Sequence, residues 1–96
     1  MVSDGELLAF RLRLGERIRQ RRQKLGLSTT QLAERTGAAV TKSAISLIEN
    51  AKVDCRVSSV LIIASALEMS EIELLFGFTD NEKLLFSHSS SEDSRQ

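Results

Sequence analysis

The 96-residue chain has no proline, tryptophan or tyrosine, and only one cysteine and one histidine. Without proline nothing breaks a helix by force, so helix ends must be marked by glycine and by capping residues. A lone Cys55 closes no internal disulfide, which fits a reducing cytoplasm, and it reads as a small buried or half-buried thiol rather than a redox centre. A lone His88 has no companion for ligating a metal or activating a nucleophile. None of the serines has a second activator close in sequence, and the glycines form no phosphate-cradling loop. Glu68, Glu71 and Glu73 read as a solvated acidic face and helix-start charges rather than paired acid-base carboxylates. The sequence therefore predicts no enzyme, no metal and no cofactor. No run is long and apolar enough to span a bilayer, and the N-terminus lacks the apolar segment of a signal peptide, so no membrane role is expected. Strand formers never alternate over a useful length, and the apolar residues are mainly Leu, Ile, Val and Ala. The expectation is an all-α chain with one compact core.

The net charge of zero conceals a polarity. Met1 to Arg56 carry eleven Lys/Arg and six Asp/Glu, whereas Val57 to Gln96 carry two and seven. A basic half able to meet a polyanion is joined to an acidic half that should face away from it.

Ser3-Asp4-Gly5-Glu6 has the spacing of a capping box. Leu7, Phe10, Leu14 and Ile18 then recur at helical spacing, predicting a long first helix to about Lys24, with Gly26 as its stop. Seven cations lie along it from Arg11 to Lys24, opposed only by Glu16. Apart from Arg22 they read as a solvated basic face. Ser28 caps a second helix with Leu32 and Ala33 turned inward, and Gly37 ends it in the left-handed conformation. Thr41 caps a third, whose inner side is Val40, Ile45 and Ile48 and whose outer side carries Lys42, Ser43, Ser46 and Leu47. After a short connection, Val57, Val60, Leu61, Ile63, Ala64 and Leu67 predict a mostly apolar helix at the centre of the core. A second box, Ser70 to Glu73, opens a short helix through Leu74, Leu75 and Phe76, which Gly77 ends. A third, Thr79 to Glu82, leads to a further turn or two through Leu84, Leu85 and Phe86. Residues 1–86 are expected to form one domain, and the serine-rich segment 87–96 a disordered tail.

Two short helices joined by a glycine-led turn, over about residues 28–50, are the pattern of a helix-turn-helix, whose second helix enters the DNA major groove. The chain resembles the lambda-repressor/Cro-like (XRE) helix-turn-helix domains over about Leu14 to Phe76. The likeness rests on Leu-Gly-Glu-Arg-Ile-Arg at 14–19, Gly-Leu-Ser-x-x-Gln-Leu-Ala at 26–33 and Lys-Ser-Ala-Ile-Ser-x-Ile-Glu-Asn at 42–50. It continues in Ile-Ala-x-Ala-Leu at 63–67 and Ser-x-x-Glu-Leu-Leu-Phe at 70–76. That resemblance implies a compact five-helix domain, here with an extended first helix and room for a short sixth. It also implies a homodimer that binds double-stranded DNA at a palindromic operator and regulates transcription, more often as a repressor, by blocking or touching RNA polymerase.

Residue by residue, the resemblance casts Thr41, Lys42, Ser43, Ser46 and Leu47 as base readers. Lys42 suits guanine O6/N7, and Leu47 suits a thymine methyl. It places Arg22, Ser28, Thr29, Asn50, Lys52 and Arg56 at phosphates. It pairs Arg22 with Glu49, tying the first helix to the third, and gives Gly37 a structural role in the turn. Three positions depart from the family pattern. Ala38-Ala39 lengthens the turn by two residues, Thr29 stands where glutamine is common, and Leu47 stands where many members carry a polar reader. A second reading is a protein-interaction module, such as an antitoxin or anti-repressor, whose helical surface grips a partner through Leu47 and the apolar ends Leu7, Leu8, Phe10 and Leu84, Leu85, Phe86. Those ends also fit packing of the first and last helices on each other or across a dimer seam.

Overall fold

A computed structural model describes residues 1–77. They form five helices: α1 (Asp4–Lys24), α2 (Thr29–Arg35), α3 (Lys42–Glu49), α4 (Val57–Ala66) and α5 (Glu71–Phe76). The third capping box, the apolar segment Leu84-Leu85-Phe86 and the tail 87–96 lie outside the described residues.

Local chemistry sets the helix starts. The Ser3 hydroxyl accepts from the Glu6 N–H at 3.1 Å while the Glu6 carboxylate accepts from the Ser3 N–H at 2.9 Å. These bonds lower the Glu6 pKa, with the backbone bond the larger cause. Ser28 and Gln31 form the same reciprocal pair at α2. Thr41 and Ser70 cap α3 and α5 through their hydroxyls.

The ends of α1 to α4 share one device. The residue after the C-cap is left-handed, its N–H bonds back to the third residue before it, and the next N–H bonds back five positions, a Schellman motif. Gly26 and Gly37 hold that place after α1 and α2, at φ +72° and +68°. Ala51 and Glu68 hold it after α3 and α4, at φ +58° and +60°, in a conformation that strains any residue with a Cβ. Ala38, directly after Gly37, is a further left-handed residue, at φ +67°. The Thr36 hydroxyl pins this turn, donating to the Ala33 carbonyl at 2.6 Å and accepting from the Val40 N–H at 3.1 Å. Beyond this turn Thr41 caps α3.

The core joins Leu14 and Ile18 of α1, Leu32 of α2, Val40, Ile45 and Ile48 around α3, Val60, Ile63, Ala64 and Leu67 around α4, and Leu74 of α5. Helix α1 packs on α3 and α5, and α2 packs on α3 and α4. The expectation for α4 needs one correction: Val57 and Leu61 are 78% and 47% exposed. The helix is apolar almost all round, and its neighbours cover one side only.

The basic face expected along α1 is the larger correction. Arg17 donates to the carbonyls of Leu74 and Leu75 at the end of α5, the shorter bond being 2.8 Å. Arg21 donates to those of Leu67 and Glu68 at the end of α4. Arg19 donates to that of Glu49 at the end of α3, and Arg11 pairs with Asp54. Three of these arginines sit at the negative ends of helix dipoles, where unpaired carbonyls need donors. Arg13 and Lys24 do lie exposed. Spacing along α1 placed the cations on their helix, but the ends of the other helices decide what they touch.

Candidate nucleic-acid interface

Eight residues make α3, and burial divides them cleanly. Ile45 and Ile48 are 0% and 6% exposed, while Lys42, Ser43, Ser46 and Leu47 face outward, Leu47 at 44%. At 100° per residue those four span one side of the helix, next to the exposed cap Thr41. The surface offers an ammonium, three hydroxyls and one apolar side chain to anything that approaches. Such a mixture suits base edges, which present acceptors, donors and a methyl group.

The C-terminal end of α3 is held firmly. Glu49 is 6% exposed, and its carboxylate takes a two-pronged contact from Arg22, Nε to Oε2 at 2.7 Å and Nη2 to Oε1 at 3.0 Å. These bonds raise the Arg22 pKa, outweighing the opposite effect of its burial. Arg22 Nη1 also donates to the Leu27 carbonyl at 2.9 Å. One guanidinium thus ties α1, α3 and the approach to α2. A planar fork on a carboxylate fixes angle as well as distance.

Around this frame, Ser28 is exposed and Thr29 half-buried at the start of α2. Asn50, Lys52 and Arg56 are exposed beyond α3. The Asn50 carboxamide donates to the Ser46 carbonyl at 2.8 Å and accepts from Arg19 Nη2 at 3.0 Å. Gly37 lies in the turn at φ +68°. Sequence reasoning missed Arg19, although Gly15, Arg19 and Arg22 lie four and three residues apart, the spacing of one helix face. It also missed the need for Gly15, against which the backbone of α3 rests. Cys55 is half-buried and its pKa is raised by that burial. Among the described residues no group of three or more His, Cys, Asp and Glu side chains is placed to hold a metal ion. Nor is any described helix long and apolar enough to cross a membrane.

A capped pair of short helices, the second with its polar side outward and its end clamped to a long first helix, is a helix-turn-helix. The helix-turn-helix domain profile matches residues 13–75, and the chain belongs to that family. Two solved structures are similar to it. One is a hypothetical transcription factor, NHTF, from Neisseria, with 25% identity and a TM-score of 0.65 over 80% of this chain and 84% of that one. The other is an HTH_3 family transcriptional regulator from Vibrio cholerae, with 26% identity and a TM-score of 0.67. This chain covers 43% of the Vibrio protein, which covers 84% of this chain. No curated protein matches. Fold and family together make this a DNA-binding regulator and not an enzyme.

Proposed function

We propose that the chain is a sequence-specific transcriptional regulator of the cytoplasm, acting as a repressor, that binds a palindromic operator as a homodimer. The carrying observation is α3 itself: a helix with an outward row of Thr41, Lys42, Ser43, Ser46 and Leu47, held at a set angle by the Arg22–Glu49 fork. In this reading Lys42 donates to guanine, the hydroxyls of Thr41, Ser43 and Ser46 read neighbouring bases, and Leu47 meets a thymine methyl. Ser28 and Thr29 before the groove, and Asn50, Lys52 and Arg56 beyond it, fix the domain on phosphates. Arg22, its side chain 13% exposed, joins them. Two such helices about 34 Å apart in a two-fold dimer read the two halves of a palindrome, and occupation of a promoter excludes RNA polymerase.

The test is a selection on random duplex DNA, followed by titration of the winner at several salt concentrations. A palindromic winner bound less tightly as salt rises supports the reading. Lys42→Ala then relaxes preference at one base position, and Lys52→Ala weakens all duplexes alike and lowers the salt slope by about one. Enrichment of no sequence sinks it. The exposed Leu47 then favours the second reading, a helical surface that grips a partner protein.

A further inference from the structure

The Asn50 carboxamide stands at the end of α3 with a fixed direction. A carboxamide has one acceptor oxygen and two N–H donors. Its oxygen accepts from Arg19 Nη2 at 3.0 Å, and one N–H donates to the Ser46 carbonyl at 2.8 Å. Turned over, it would set donor against donor at Arg19 and acceptor against acceptor at Ser46, so only one orientation satisfies both neighbours. What is left outward is a single N–H, which can only meet an acceptor. The same Arg19 nitrogen donates to the Glu49 carbonyl at 3.3 Å, so the guanidinium is anchored to the end of α3. Arg19 is itself one-third exposed, so a positive charge stands beside the same carboxamide, at its oxygen.

We infer that Arg19 is a positioning residue for DNA binding: it holds the Asn50 carboxamide with its open N–H toward a phosphate beside the C-terminal end of α3. This rests on the DNA-binding reading above. A phosphate oxygen is the acceptor on duplex DNA that this donor and the charge beside the carboxamide both favour. Without Arg19 the carboxamide oxygen loses its partner and the orientation is no longer enforced.

The experiment is a double-variant cycle on the full chain, with affinity measured for the selected duplex and for a scrambled duplex of equal length. Arg19→Ala and Asn50→Ala each weaken both duplexes, by about tenfold, the loss of one hydrogen bond to a charged group. The double variant is no weaker than either single one. Asn50→Asp keeps an acceptor for Arg19 but loses the donor to the Ser46 carbonyl and presents a carboxylate to the phosphate, so it binds less tightly than Asn50→Ala when both are measured at a temperature where each chain is folded. This variant keeps the test decisive even if Arg19→Ala folds poorly. Losses that multiply in the double variant overturn the inference, as does an Asn50→Asp chain that binds as well as the wild type. A loss confined to the selected duplex overturns it too, since that marks a tilted α3. Failure of the wild-type chain to bind either duplex is a different result, because it removes the DNA-binding reading before any variant is made.

Discussion

Gly15 of α1 faces the carbonyl of Glu49 so closely that a Cβ built on Gly15 would lie 2.5 Å from that oxygen, and 2.7 Å from the oxygen of Ile48. Both obstacles are backbone, so no side-chain rotation relieves the clash. Helix α1 approaches the end of α3 as near as its own backbone permits, which brings Arg19 and Arg22 within reach of Glu49. Gly15→Ala must push the two helices apart. The expected cost is about 2–3 kcal/mol, in the range for overpacking a well-filled interior, measured by urea unfolding. A parallel fall in affinity for the selected duplex is expected, because the clamp on α3 loosens with the contact. A chain that unfolds at the wild-type urea concentration would show that the approach is not tight.

Arg22→Met removes the fork from a carboxylate that is almost fully enclosed, its side chain 4% exposed. Arg19 lies 3.6 Å away and compensates in part. A loss of about 3 kcal/mol is expected, the scale for stranding one half of a buried pair. The double change Arg22→Met with Glu49→Leu should recover much of that stability without recovering sequence preference, since an apolar contact does not fix the angle of α3. Unfolding curves together with the selection experiment check both halves. Recovery of base preference in the double variant would mean that the fork does not orient α3.

Ala38 is exposed and sits at φ +67°. Removing its Cβ relieves a strained conformation at the cost of a more flexible unfolded chain. Ala38→Gly should therefore stabilise by about 0.5–1 kcal/mol, raising the melting temperature by a few degrees. Equal or lower melting would show that the turn relaxes by another route.

The Cys55 thiol is half-buried and its pKa is raised by burial. Its reaction with iodoacetamide at pH 8 should be at least about tenfold slower in the folded chain than in guanidinium, since access and thiolate fraction both fall. The sign for stability follows from the same shift. With the folded value above the unfolded one, the contribution is fully present below the ordinary thiol pKa and is lost as pH rises through the raised value. A Cys55→Ala chain should lack that alkaline loss. Alkylation at equal rates in both states would contradict the burial.

Much of the architecture is written locally. A serine three residues before glutamate or glutamine, threonine before Lys42, and glycine at 26, 37 and 77 start and stop helices through bonds that span only a few residues, so their positions are legible along the chain. The inward row Val40, Ile45, Ile48 is legible for the same reason, and so is the outward row that fixes what α3 can offer. Other stops carry no such signal: Ala51 and Glu68 take the left-handed place that glycine usually marks, because the packing around them overrides a modest local strain. The arginines of α1 were the hardest to read. Whether a cation meets water, a carboxylate or the carbonyls at a helix end depends on elements about thirty to sixty residues further along, and no local preference encodes that. Sequence alone therefore determined the helices, their order, the family likeness and the chemistry on the outer side of α3. Only the tertiary structure decided that Gly15 is needed for closeness and that Arg17, Arg19 and Arg21 serve the ends of other helices. It alone turned Asn50 to face outward with a donor, because these are properties of distances between segments far apart in the chain.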